Sequence, residues 1–226
     1  MRAVGSAEAF PIALSLRVAA ISLCISAPVG IALAWVQARR RYPLRGLVDA
    51  IVLLPLVLPP SVIGFFLVVV FGRKGVLGPF LEHAAGLRLV FSPAGAVLAS
   101  TVVALPMVIK TAQPAIEAVS PELEKVGRSL GLGPPALFFR VTLPSAWRGV
   151  VAALVLGFAR ALGEFGATLM FAGNIPGRTN TMPLELFAAY QAGDDARAGL
   201  YVAVLTGFSG VVALVAARLS PRESPA

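Results

Sequence analysis

The sequence predicts an all-α, single-domain membrane protein that crosses the bilayer five times. Two observations carry this. Of 226 residues, 58% are hydrophobic and only 13% charged, with a mean hydropathy of +0.85; a soluble domain of this size carries about a quarter charged residues. The apolar residues also gather into stretches long enough for about 20 helical residues to cross roughly 30 Å of hydrocarbon. These stretches run from about residue 12 to 36, 47 to 71, 89 to 109, 150 to 171 and 200 to 217.

The first stretch lacks a basic leader and a cleavable small-residue site, so it reads as a retained helix and not a removed signal peptide. It holds the only cysteine, Cys24, which excludes an internal disulfide and suits an inert buried thiol. Arg39, Arg40, Arg41 and Arg45 follow at once. The formal net charge of +8 points to nucleic acid or an anionic membrane surface. No aromatic-interleaved basic groove accompanies these arginines, which selects the membrane lipid and argues against nucleic acid.

The second stretch contains LPLVLPPSVIG, with Pro55, Pro59 and Pro60. Proline removes a backbone donor and clashes with the preceding turn, so the helix must kink or break here. Within lipid a break survives only where protein or a wet cavity covers the freed carbonyls. Two readings stay open: a packed kink, or a bent helix whose Pro59, Pro60 and Ser61 line a transport path. Basic residues in short loops favour the cytoplasmic side. Arg39, Arg40, Arg41 and Arg45 share a side with Arg218 and Arg222, whereas Arg2, Arg73, Lys74, Arg88, Arg178 and Arg197 are spread over the other. The N-terminus is therefore expected outside, with residues 110–149 and the C-terminus in the cytoplasm.

Between the third and fourth stretches lies SPELEKVGRSLGLGPPALFFRVTLP (120–144), within a loop of about residues 117–146. Ser120-Pro121 is a helix start, a capping serine followed by proline where the missing N–H costs nothing. Val119, Leu123, Val126 and Leu130 recur at helical spacing as an apolar face. Glu122, Glu124, Lys125 and Arg128 occupy the other face, with Glu124 and Arg128 an i,i+4 pair. Gly131 suits a C-terminal cap, and Pro134-Pro135 restarts the chain toward Phe138, Phe139 and a stop at Pro144. This knob of two short helices, expected to expose apolar residues on the cytoplasmic face, either lies on the bilayer surface or docks a partner. No GxxxxGK[ST] phosphate loop occurs in the chain, so any ATP that drives the protein is bound by another subunit.

The residues Glu124-Lys125-Val126-Gly127, Leu130-Gly131, Phe139, Val141 and Leu143-Pro144 resemble the EAA loop of ABC-importer permeases. Here Lys125 offsets the two small residues, and Val126 and Gly127 stand for alanines. Ala159 to Phe187, ARALGEFGATLMFAGNIPGRTNTMPLELF, together with PLVLPPSVIGFFLVVVFGRKGVLG, resembles molybdate-importer permeases and their relatives for sulfate and tungstate. The resemblance spans essentially the whole chain. It implies a type I ABC importer permease fold in a bacterial inner membrane, with molybdate as substrate and sulfate, thiosulfate or tungstate as the alternatives. It also implies a homodimer, joined by two ATPase subunits and an extracytoplasmic oxyanion-binding protein. Glu124, Gly127, Leu130, Gly131, Phe139, Leu143 and Pro144 would then form the loop that couples to the ATPase.

In the fourth stretch Arg160 and Glu164 are four residues apart inside a membrane helix, where a charge needs a partner or water. They either satisfy one another or face the oxyanion route; a dianion held tightly in its path would be trapped, which favours mutual pairing. Gly163 and Gly166 are small residues that allow close helix approach at an interface or gate. Asn174 to Thr181 forms a loop on the outer side, read either as a plain turn or as a binding-protein contact through Asn174, Thr179 and Thr181. His83 stands alone, and no metal cluster, no bound cofactor and no catalytic constellation is expected. An intramembrane enzyme lacks its residues, and an ATP-independent carrier or channel would need no docking knob.

Overall fold

The computed structural model describes residues 6–40 and 42–219, and every regular element among them is a helix. Arg2, Arg41 and Arg222, which entered the charge reading, lie outside the described residues. α1 (Ser6–Arg39) is followed by α2 (Arg45–Val57), α3 (Pro60–Phe71) and the short α4 (Gly78–Ala85). α5 (Pro93–Glu117) starts at a cap in which Ser92 Oγ accepts from the Gly95 N–H at 3.1 Å, with Pro93 at the first helical position. Three straight helices, α1, α5 and α12 (Asp195–Leu219), are long and apolar enough to cross a membrane. Two bent helix pairs, residues 45–71 and 134–162, bring the crossings by length and composition up to five where each pair counts as one span.

The centre is a bundle of α1, α5 and α9 (Trp147–Leu162). Small residues let these helices approach: a Cβ at Gly30 of α1 or Gly157 of α9 would come within 2.8 or 2.5 Å of Val108 on α5. Ala34, Ile109, Ala112, Ile116, Val150 and Ala153 close the core toward one end. Polar ties join the bundle to its surroundings. Ser22 Oγ donates to the Val97 carbonyl at 3.0 Å, and Ser15 Oγ accepts the Met182 N–H at 2.7 Å. Ile21, Ile25 and Val29 of α1, Phe65 and Phe66 of α3, and Val211 and Leu214 of α12 remain exposed. So continuous an apolar exterior suits hydrocarbon and not water.

The second stretch breaks where its prolines lie: α2 and α3 meet at 112°, and Leu58 and Pro59 are extended between them. The fourth stretch differs from its sequence reading as one helix over 150–171. α9 stops at Leu162, and α10 (Gly166–Ala172) begins after an interruption at Gly163, Glu164 and Phe165. The cause is local, because the Glu164 carboxylate accepts the Ala167 N–H at 2.8 Å. It thereby satisfies a donor that a continuous helix would have paired internally.

Candidate functional site

The first candidate site is the knob at one end of the bundle. It comprises α6 (Pro121–Ser129), α7 (Pro134–Leu137), a π-helical turn (Phe138–Thr142) and α8 (Leu143–Ser145). Ser120 Oγ accepts the Glu122 N–H at 3.2 Å and also bonds the Glu122 carboxylate. That side-chain bond, then the backbone bond, holds the Glu122 pKa below its usual value. At the other end Gly131 takes φ 81°, and Leu132 N–H donates to the Gly127 carbonyl at 3.1 Å. Gly131 N–H reaches Arg128 O at 2.9 Å, completing a Schellman cap that only glycine adopts without strain.

The faces of α6 are inverted relative to a surface helix. Glu124 and Gly127 are buried, whereas Leu123, Val126 and Leu130 are 52%, 58% and 77% exposed. Glu124, on the face opposite the apolar residues, is thus turned inward. Its carboxylate accepts from Arg39 Nε and from Thr142 Oγ1, each at 2.8 Å, and lies 3.5 Å from Arg128. Arg39 also donates to the Val119 carbonyl at 2.9 Å, and Val119 is buried, not part of the exposed face. At Gly127 a Cβ would lie 2.6 Å from Leu137, so this position sets how closely α6 and α7 pack. Phe138 rests against Trp35 at 5.3 Å, and Phe139 stands 65% exposed beside it. Leu143 packs into the α1–α5–α9 core, Pro144 is exposed, and the chain then turns 82° into α9. The outer surface of the knob is therefore Leu123, Val126, Leu130 and Phe139 on a rigid base.

That base is tied to the spans by ions. Arg39 links α1 to the knob, Arg45 reaches Glu117 at 3.5 Å, and Lys110 on α5 meets Asp49 on α2 at 2.6 Å. Asp49 is one of the groups the sequence reading passed over; an acid inside an apolar stretch, with a lysine just past the next one, was the available signal. The knob is thus fastened to α1 and, through Leu143, to the α1–α5–α9 core, while Arg45–Glu117 and Lys110–Asp49 fasten α2 to α5 at its near end.

The second candidate site is where the two helix breaks touch. A Cβ on Gly166 would lie 3.0 Å from Pro60 Cβ and 3.2 Å from the Ser61 nitrogen. The geometry brings together Pro60, Ser61 and Gly166, with Pro59 capping α3 and Gly163 exposed in the facing interruption. Beside them Arg160 Nη1 donates to Glu164 at 2.7 Å, the glutamate side chain being almost fully buried. The pair satisfies itself, and Glu164 spends its second oxygen on the α10 backbone. Gly166→Val is expected to force the breaks apart at a cost of about 1–3 kcal/mol, whereas Gly166→Ala fits with a small shift. Thermal unfolding of the detergent-solubilised protein, run beside a transport assay, checks this; equal stability of both variants with the wild type would remove the contact's importance.

At the opposite end, residues 173–181 form a compact loop before α11 (Met182–Gln191). Thr179 Oγ1 donates to the Gly173 carbonyl and accepts the Ile175 N–H, both at 2.9 Å. Thr179 and Thr181 are buried, and Asn174 Nδ2 donates to Leu184 O at 3.3 Å. The hydroxyls of these threonines face inward, and Pro176, Gly177 and Arg178 form the outer face of the loop. Sequence reasoning missed the supports. Asn180 donates to Glu185 at 3.0 Å, and Glu185 pairs with Arg197 at 2.6 Å. Among the described residues no group of three His, Cys, Asp or Glu side chains is arranged to hold a metal.

The model of binding-protein-dependent transport system inner membrane components matches residues 26–223. The chain belongs to this family. The permease is 45% identical over 184 residues to the molybdenum transport system permease protein ModB of Haemophilus influenzae, covering 81% of this chain and 80% of that one. It is 43% identical to ModB of Escherichia coli over 79% of this chain and 78% of that one, and 42% identical to ModB of Mycobacterium bovis over 91% and 77%. Its fold matches the MetNI methionine ABC transporter in an inward-facing conformation with a TM-score of 0.64, at 18% identity over 95% of this chain and 94% of that one. An amino acid ABC transporter matches at 0.62, also at 18% identity, over 94% of both chains. The permease thus has the helical fold of ABC-importer permeases.

Proposed function

We propose that this permease carries molybdate into the cytoplasm as the membrane subunit of an ATP-driven importer. Its 42–45% identity to ModB permeases over most of the chain supports the substrate. The observation that carries the coupling is the inverted α6, whose apolar side chains stand exposed while its carboxylate is buried. An apolar face on a rigid, capped helix is costly in water and gains stability when a partner covers it. That partner is an ATPase subunit, and two copies of the permease, two ATPase subunits and an extracytoplasmic binding protein form the working assembly. In this reading the N-terminus is outside and the knob is cytoplasmic.

ATP binding on the partners draws the two knobs together. Because Glu124, Arg39 and Leu143 fasten each knob to α1 and the core, the motion passes to the bundle, and through Lys110 and Asp49 to α2. The touching breaks at Pro60 and Gly166 are the points at which the spans can change angle. Val126→Asp with Leu130→Asp is expected to leave the permease folded, since both residues are exposed, while abolishing ATPase association and uptake. Co-purification and thermal unfolding check this, and normal association in that variant would sink the docking claim. Uptake of labelled molybdate into proteoliposomes holding the complete assembly, with sulfate as competitor, tests the substrate; sulfate import without molybdate import would overturn it.

A further inference from the structure

At the end opposite the knob, a cavity of about 530 Å³ opens between the end of α3, the segment after α4 and the loop before α11. Three arginines from these three separate segments line it: Arg73, Arg88 and Arg178. Arg88 is held by Glu82 at 2.6 Å. The side chains of Arg73 and Arg178 make no hydrogen bond or ion pair among the described residues, and Arg178 is held only through its backbone N–H, which donates to Ile175 O at 3.0 Å. Three guanidiniums and one carboxylate leave the cavity with a net charge of +2. Its remaining wall is apolar and includes Phe71 and Phe91, which lowers the local dielectric and strengthens attraction for an anion.

The wall is also strained. Phe91 takes φ 55°, a left-handed conformation that bulky side chains rarely adopt. It is fixed there by its N–H donating to Phe171 O at 3.1 Å and by close packing over Gly173, where a Cβ would lie 2.9 Å from the ring. The surrounding structure thus fixes the Phe91 ring in the cavity wall. The sequence reading counted these arginines among the basic residues spread over the outer side.

We propose that this cavity is a low-affinity staging site for a free tetrahedral oxyanion of two negative charges on the outer side of the permease. The inference rests on the oxyanion-import reading above. Guanidiniums present paired donors that match a tetrahedral oxyanion, and the net charge matches a dianion. The cavity is far larger than one such ion, so the ion keeps part of its hydration and binds weakly. A staging site requires that, because the ion must move on.

The test is saturable binding of labelled molybdate to the permease–ATPase complex in nanodiscs of zwitterionic lipid, without the binding protein, at low and physiological ionic strength. The wild type is expected to bind, and to bind less as salt screens the cavity. R73Q combined with R178Q is expected to weaken binding at least about tenfold. E82Q, which removes the lone carboxylate and frees Arg88, is expected to strengthen it, a gain that damaged folding cannot mimic. Both arginines are exposed, so the double variant should fold. Unchanged binding in it overturns the site, as does lost uptake with unchanged binding of free ion, which would assign the arginines to docking of the delivery protein. Co-purified anionic lipid that depends on the two arginines, with no saturable molybdate binding, also overturns it. Wild-type proteoliposomes that import molybdate alongside any of these results leave the proposed function standing; failure of the wild type to import any tetrahedral oxyanion removes that function instead.

Discussion

Glu124→Ala is expected to destabilise the permease by about 3 kcal/mol, enough to lower its abundance in the membrane. The carboxylate is buried and accepts from both Arg39 and Thr142. Removing it leaves a guanidinium whose side chain is only 18% exposed without its ion partner, and a hydroxyl with no acceptor. Breaking one side of a buried pair costs roughly 3–5 kcal/mol, and the partial exposure of Arg39 puts the effect at the lower end. Glu124→Gln keeps an oxygen for Thr142 and loses only the charge, so its loss should be smaller. Thermal unfolding of the purified protein measures the order wild type, Gln, Ala. Any loss of coupling in this variant then has a structural cause: the knob loosens on α1 before any docking surface is altered. A Glu124→Ala protein with unchanged stability and lost ATPase association would put the carboxylate back at the docking surface.

The helices and most of the knob were legible because their signals are local. Apolar length marks a span, Ser120-Pro121 marks a helix start, and Gly131 marks its end. Pro59 and Pro60 announced the second-span break for the same reason, since a missing donor is visible in one residue. The sequence reading placed apolar residues of the knob on its exposed face, and Leu123, Val126 and Leu130 are exposed. What was not legible is the burial of Glu124 on the other face, because Arg39, which holds its carboxylate, lies 85 positions away. The break at Gly163 was hidden because Glu164 could serve Arg160 alone or also cap α10, and both uses share one sequence. The buried hydroxyls of Thr179 and Thr181 escaped for a related reason, as a polar loop reads as outward-facing until its internal hydrogen bonds are known. Glu185 with Arg197, and the three arginines around the outer cavity, are pairings across distant segments that no spacing rule encodes.

Glu164→Ala is expected to have an effect at least as large, because the side chain does two things inside the membrane. It pairs with Arg160 at 2.7 Å and it caps α10 through the Ala167 N–H at 2.8 Å. Loss of the pair leaves an arginine charge in a span with only 27% of its side chain exposed, at roughly 3–5 kcal/mol. Loss of the cap adds about 1 kcal/mol and frees the start of α10, which carries Gly166 against Pro60. The two contributions separate in a double-mutant cycle. Arg160→Ala with Glu164→Ala removes the stranded charge and should recover most of the pairing loss. It should not recover the cap, so the double variant stays less stable than the wild type by about the cap contribution. Folded protein in membranes, followed by thermal unfolding in detergent, reads both. Strict additivity of the two single substitutions would show that Arg160 and Glu164 do not act on each other, and normal abundance with normal uptake in Glu164→Ala would remove both roles at once.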